Sequence, residues 1–357
     1  MSDAGRVPDP PTARPGPGST GAGGILAPRR RLDWARNEVL VGAVIAAFCA
    51  LAAASDPNFL SIPTATDLAR NGITLGILAV AAMVVLVSGG IDVSFTAVAA
   101  FAMYATTVLL RAYAPDLPWP LAFATATAIG ASLGAINGVL IAVFGLPTLI
   151  VTLGTLSIFR GALLTFVGTV QISNLPSGMR DFSRLMMVRG TNADGSFYSL
   201  PWAFAFLVGV VALTWFVLNR TMLGRAIYAV GGSVEAARRV GIDVRRTQMF
   251  VYVYVGALAG LAGIIHASMA RIANPFDLVG LELGVIAAVV LGGARLAGGY
   301  GTLTGTLLGV ALIVLVQNSL IVIGIPSTWQ SATIGALILL GTGLPAWQAK
   351  RAEARAA

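Results

Sequence analysis

Residues 224–243 read GRAIYAVGGSVEAARRVGID. Ser233 suits a helix N-cap, Glu235 the positive first turn, Arg238 and Arg239 the last turn, and Gly241 the stop. The stretch predicts a short, capped, charged helix. Apolar runs flank it, at 201–218 and 248–270, each about the length of a membrane helix. A charged helix held between two such runs stands outside the bilayer. It presents a rigid surface to something soluble.

The rest of the chain agrees with a membrane protein. Apolar residues make up 57% and charged residues 11%, and mean hydropathy is +0.84, which removes a soluble globular domain. The net charge of +8 is almost wholly arginine, placed between apolar runs or at the two ends. Those arginines read as topology signals and not as a stripe for polynucleotides. Cys49 is the only cysteine and His266 the only histidine, which excludes internal disulfides, thiolate metal sites and multi-histidine centres. No cofactor is implied.

Ten apolar runs are expected as spans: 38–55, 71–89, 93–110, 119–144, 147–168, 201–218, 248–270, 278–293, 301–323 and 328–344. An even count returns the C-terminus to the side of the N-terminus. Arg29, Arg30, Arg31 and Arg36 at one end, and Lys350, Arg351 and Arg355 at the other, place both ends in the cytoplasm. The chain then divides into a disordered cytoplasmic tail at 1–37, a transmembrane domain at 38–345 and a cytoplasmic tail at 346–357. Within the domain, 219–247 forms a cytoplasmic loop and 169–200 the longest external one. The external loop reads equally as a solvated linker or as a platform for a partner.

Two glycine-rich breaks resemble each other: VLVSGGID at 85–92 and VLGGARLAGG at 290–299. Interrupted apolar segments at matching places point to a transport pathway, although glycine also recurs wherever membrane helices pack closely. Charges inside apolar runs are costly and mark candidate functional groups. Asp92, Arg160 and Glu282 are these candidates. Asp92 and Glu282 read alternatively as helix-end groups within reach of water, and Arg160 as a snorkelling side chain. Ser94, Asn137, Thr152, Thr155, Gln317 and Asn318 are polar groups within or beside the spans. They suit either a polyhydroxy solute or hydrogen bonds between helices.

Lys350 is the only lysine, and no GxxxxGK[S/T] loop exists, so nucleotide energy has to come from another subunit. No GxSxG elbow accompanies His266, and no catalytic constellation is present. The chain reads as a transport subunit and not as an enzyme.

Four stretches together resemble the inner-membrane permeases of bacterial ABC importers for simple sugars, the ribose-type branch, related to branched-chain amino-acid permeases. They are SGGIDVS at 88–94; Asn137-Gly138 followed by LPTLIVTLG at 146–154 and Arg160-Gly161; Gly224-Arg225 through Glu235-Ala236-Ala237 to Gly241-Ile242; and IAAVVLGG at 286–293 through Gly298, Gly299 and Gly301. The resemblance runs from about residue 69 to 344. It implies an all-α polytopic fold in the bacterial inner membrane, with two permease subunits, alike or paralogous, enclosing the pathway. It also implies cytoplasmic ATPases docked on Glu235, Ala236, Ala237 and Gly241, and a periplasmic binding protein that delivers a monosaccharide. The sequence departs from the family pattern at Phe95, where glycine is common, at Gly284, where aspartate is common, and at Ser233, where asparagine is common. The alternatives are an amino acid or nucleoside as cargo in the same architecture, or a proton-driven carrier working through Asp92, His266 or Glu282.

Overall fold

The computed structural model describes residues 30–55, 57–192 and 195–322, with isolated positions between 329 and 339. The expected tenth span and the C-terminal tail fall almost wholly outside them, and of the N-terminal tail only 30–37 are described. The described chain runs α1 (Arg30–Ser55), α2 (Ile62–Val87), α3 (Phe95–Tyr113), α4 (Trp119–Gly138), α5 (Thr148–Ala162) and α6 (Ser177–Arg184). A hairpin of β1 (Met186–Thr191) and β2 (Phe197–Pro201) follows. Then come α7 (Ala203–Arg220), α8 (Met222–Gly232), α9 (Val234–Arg239), α10 (Val244–Ala270), α11 (Glu282–Leu291) and α12 (Leu303–Val322). Helices α4 and α5 each continue into a π turn, Val139–Val143 and Leu163–Val167.

Among the described residues six helices are long and apolar enough to cross a membrane: α2, α3, α4 with its π turn, α5 with its π turn, α7 and α10. Three shorter apolar helices accompany them, Glu38–Ala54, Glu282–Leu291 and Leu303–Ser319. Helix α11 is the shortest of these. Its ten residues rise roughly 15 Å, about half of a hydrocarbon core. Glycines with positive φ at Gly280 and Gly293 bound it, which trims the expected 278–293 run from both sides. At the other extreme α2 starts well ahead of residue 71. Ser61 accepts from the Thr64 N–H at 3.4 Å, and Pro63 pre-sets the first turn. Asp67 and Arg70, which fall between the expected spans 38–55 and 71–89, therefore belong to α2.

Helix α2 is the central post, buried continuously from Gly76 to Val87. Helix α10 packs on it and on α3 and α4. Where α4 crosses α10, two G-x-x-x-G pairs meet: Gly130 and Gly134 on one helix, Gly256 and Gly260 on the other. A Cβ at Gly130, Gly134, Gly256 or Gly260 would overlap a backbone carbonyl oxygen of the facing helix. Without a hydrophobic force between helices in lipid, such close backbone approach is what makes van der Waals packing effective.

The described residues of the 169–200 segment are folded. Strand β1 pairs antiparallel with β2, from Val188 opposite Leu200 to Thr191 opposite Phe197. Helix α6 is amphipathic, with Met179 and Phe182 buried and Arg180, Asp181 and Arg184 exposed. Phe182 joins Trp119, Phe123 and Phe206 in an aromatic cluster, with ring centroids 4.5–6.0 Å apart. The segment caps one end of the bundle.

Candidate functional site

Helix α2 ends because Ser88 turns its hydroxyl back to the Val85 carbonyl at 2.7 Å and Gly89 takes a φ of +85°. The chain then runs without helix to α3. Asp92 is buried in this passage, and its Oδ1 accepts from both the Ser94 N–H and the Ser94 hydroxyl, each at 2.7 Å. Asn137 on α4 donates from Nδ2 to Ser94 Oγ at 2.8 Å. Helix α5 completes the clasp. Its Thr148 hydroxyl accepts from the Ile91 N–H at 3.2 Å, and its Thr152 hydroxyl donates to the Ile91 carbonyl at 3.2 Å. A buried carboxylate needs such donors, since an unpaired one costs several kcal/mol. Thr155 lies one turn along α5, with its hydroxyl 3.4 Å from the Thr152 carbonyl. Asn137 Oδ1 is buried with no hydrogen-bond partner.

Asp92, Ser94 and Asn137 thus share one network, and Thr152 holds the same passage through the Ile91 carbonyl, with Thr155 beside it. Glu282 reaches the same region from α11: its Oε2 accepts from Thr96 Oγ1 at 3.0 Å and from the Gly280 N–H at 2.8 Å. Asn318 does not. It accepts from Asn71 Nδ2 at 3.0 Å, roughly 24 Å along α2 from Val87, and joins α12 to α2. Arg160 sits on the exposed face of α5. His266 faces Asp277, Nε2 to Oδ2, at 3.7 Å.

The two glycine breaks meet. The Gly299 N–H donates to the Val87 carbonyl at 2.9 Å, and a Cβ on Gly298 would come 2.5 Å from Gly89 Cα. Between them sits Gly231, at the end of α8, where a Cβ would overlap the Val87 carbonyl oxygen. Tyr228 of α8 adds a hydrogen bond to the Gly301 carbonyl at 2.9 Å. Within the second break the Arg295 guanidinium lies 5.4 Å from the ring centroid of Tyr300, which follows the break. Burial first, and then the nearby Glu38 carboxylate, pushes the Tyr300 phenol up to about 12.

Helix α9 follows directly from this knot. Ser233 Oγ accepts from the Ala236 N–H at 3.2 Å. The Gly241 N–H bonds the Arg238 carbonyl and the Ile242 N–H the Ala237 carbonyl, both at 3.0 Å, the Schellman arrangement expected of glycine at that place. Gly241 has a φ of +83°. Ala237 turns inward against Val230 and Val244, while Glu235, Ala236, Arg238, Arg239 and Val240 are exposed. A cavity of about 240 Å³ separates α9 from the first break, lined by Gly90, Thr148, Ser233, Val234, Gln248 and Tyr252. Sequence reasoning did not single out Thr148, Tyr252, Gly231 or Thr96. Thr148 falls inside the LPTLIVTLG stretch and Gly231 inside 224–243; Tyr252 and Thr96 carry no local signal.

Comparison with known proteins fits this arrangement. Residues 64–341 match the family described as branched-chain amino acid transport system / permease component. The autoinducer 2 import system permease protein LsrC of Enterobacter sp. (strain 638) is 36% identical over 84% of this chain and 83% of its own length. The probable ABC transporter permease protein YphD of Escherichia coli (strain K12) is 34% identical over 85% and 88%. The L-arabinose ABC transporter permease protein AraH of Azospirillum brasilense is 34% identical over 80% of each chain. No solved structure matches. With most of its described length matched by one family profile, the chain belongs to the branched-chain amino acid transport system permease components, and is a membrane transport subunit and not itself an enzyme.

Proposed function

We propose that this chain is the permease of an ATP-driven importer for a monosaccharide, with α9 as the element that a separate cytoplasmic ATPase pushes. The observation that carries this reading is the glycine knot. Gly231, two residues before the Ser233 cap of α9, lies against both breaks, and the first break leads straight to Asp92. Close-packed backbone has no slack, so a displacement of α8 and α9 has to move the breaks. The Asp92–Ser94–Asn137 network then changes with them, which is how alternating access at a polyhydroxy solute can follow from an ATPase outside the bilayer.

A monosaccharide is favoured because one relative is named for L-arabinose and because the buried groups beside the first break, Ser94, Asn137 and Thr152, are hydroxyls and an amide, the kinds that bond sugar hydroxyls. A proton-driven carrier fits less well. Tyr252 lines the cavity beside Gly90, at the first break, and His266 lies fourteen residues beyond it on α10, roughly 21 Å, facing Asp277 and not the break. In this reading ten spans leave both termini in the cytoplasm of a bacterial inner membrane. Loop 219–247 faces inward, 169–200 faces a periplasmic binding protein, and a second permease subunit, alike or paralogous, completes the pathway.

The test is uptake into proteoliposomes that hold the permease, its ATPase and its binding protein. Concentrative uptake of a labelled sugar with ATP as the sole energy source is expected. Uptake driven by a pH gradient without ATP would overturn the proposal.

A further inference from the structure

We propose that the groove between α4 and α7 holds an acyl chain of an anionic phospholipid, bound as a specific ligand. Helices α4 and α7 touch at one end, where the Trp119 and Phe123 rings meet Phe206, and α10 lies behind both as the floor. The space between them measures about 690 Å³, with Trp119 and Thr127 on one wall and Phe206, Gly209 and Leu213 on the other. Tyr254 also lines it, but its hydroxyl is 2.7 Å from Thr214 Oγ1 and is thereby satisfied. From Trp202 to Leu213 the α7 wall extends roughly 16 Å. Between Ala205 and Leu213 that wall is apolar, with no side-chain hydrogen-bonding group for water or a sugar.

What fills the groove is indicated at its end. Trp119 and Trp202 stand at the first turns of α4 and α7, as indoles do at the boundary between headgroups and hydrocarbon. Helix α6 lies across the same end, lining the groove with Phe182 while Leu185 follows it. Its polar face and its neighbours are basic. Arg180 and Arg184 are exposed, Arg189 donates to the Arg184 carbonyl at 2.7 Å, and Arg271 donates to Ser183 Oγ at 3.1 Å. Against these four arginines stand Asp181, Asp116 and Asp277, the last paired with His266. An apolar slot that opens beneath a cationic rim matches a negatively charged headgroup with its chain below. A neighbouring protein helix would need no such rim, and a zwitterionic lipid would gain little from it. The inference rests on the membrane reading of the fold and is independent of the coupling role of α9.

The test uses the full chain in nanodiscs of equal phosphatidylglycerol and phosphatidylethanolamine, followed by native mass spectrometry. One retained phospholipid per chain is expected, with phosphatidylglycerol preferred. Arg184→Ala and Arg189→Ala should each lower that preference about fivefold, the factor usual for one basic residue near an anionic surface, and Gly209→Trp should abolish retention. Because a bulky residue at 209 can disturb folding, wild-type protein provides a second readout. Brominated phosphatidylglycerol should quench its tryptophan fluorescence, with the quenched fraction reduced in Trp202→Phe and reduced further when Trp119→Phe is added. Absence of retained lipid, equal retention of the two lipids, or an unchanged preference in the arginine variants would overturn the proposal. So would a disulfide joining two Gly209→Cys chains in a Cys49→Ser background, which would put a second copy in the groove.

Discussion

Gly299 donates its N–H to the carbonyl of Val87 at 2.9 Å, so the second glycine break closes the open end of α2. The Val87 carbonyl is one of the last in that helix and has no partner of its own turn. A residue from a distant part of the sequence supplies one. The two breaks are therefore a single structural feature, and Gly231 is wedged into it.

Gly231→Ala is expected to damage the protein far more than Gly232→Ala. A methyl at 231 meets backbone atoms of Val87 and Gly299, whereas one at 232 meets nothing within 4 Å. Backbone cannot yield as a side chain can, so the first variant should lose about 1–3 kcal/mol of stability and most of its uptake. The second should stay close to wild type. Thermal unfolding in detergent and sugar uptake, measured on both, check this; equal behaviour would place no close contact at Gly231.

Gly256→Val addresses the crossing of α4 and α10. The added side chain would strike the Gly130 carbonyl and the backbone of Gly134, forcing the two helices apart along their whole contact. A loss of about 3 kcal/mol or more is expected. Gly154→Ala on α5, where nothing lies within 4 Å, should leave the melting temperature nearly unchanged. A Gly256→Val protein as stable as wild type would contradict the packing.

Much of this was legible in the residues, and what was missed has physical causes. The α9 cap and stop depend on local chemistry, at Ser233 and Gly241, and such signals are carried by the sequence itself. Asp92, Ser94, Asn137 and Thr152 are visible in the sequence as polar residues in or beside apolar runs, though not that they converge on the first break. Glu282 and Asn318 carried the same signal and serve different contacts. Composition marks a buried polar residue without naming its partner. The start of α2 at Ile62 was missed because Asp67 and Arg70 looked like loop residues; a helix tolerates them on its exposed side once Ser61 has capped it. The half-length of α11 follows from backbone torsions at Gly280 and Gly293, and an apolar run does not reveal these.

Glu235→Arg should uncouple transport from ATP hydrolysis while the protein remains inserted. The substitution reverses a helix-dipole interaction of about 0.3–1 kcal/mol, too little to unfold the bundle. Any large loss of uptake then comes from the exposed face of α9. Gly241→Val acts by another route, since φ at that position is +83° and a β-branched residue cannot adopt it without strain. Both variants should retain expression and lose ATP-dependent uptake; normal uptake in both would remove α9 from coupling.

Accessibility labelling tests the expected topology. In a Cys49→Ser background, a cysteine at 235 should react only after the membrane is opened, and a cysteine at 187 on the α6–hairpin segment should react from outside. Met187 is exposed, so its replacement disturbs little. Labelling of position 235 from outside would reverse the orientation and end the coupling assignment with it.

Asp92→Asn separates the two transporter classes. The asparagine keeps the oxygen that accepts from the Ser94 N–H and hydroxyl, so the clasp with Asn137 and Thr152 stays in place. In a permease driven by an external ATPase the carboxylate only orients the break, and uptake should fall a few-fold while remaining dependent on ATP. Asp92→Ala removes that acceptor and leaves buried donors unpaired, at a cost of about 1–3 kcal/mol, so its uptake should fall much further. In a proton-driven carrier the order differs. There Asp92 has to load and release a proton, and the asparagine variant would lose concentrative uptake as completely as the alanine variant while exchange survived. Proteoliposomes supplied with either ATP or a pH gradient, holding wild type, Asn and Ala variants in turn, distinguish the cases. The expected result is graded loss under ATP and no gradient-driven uptake in any of the three.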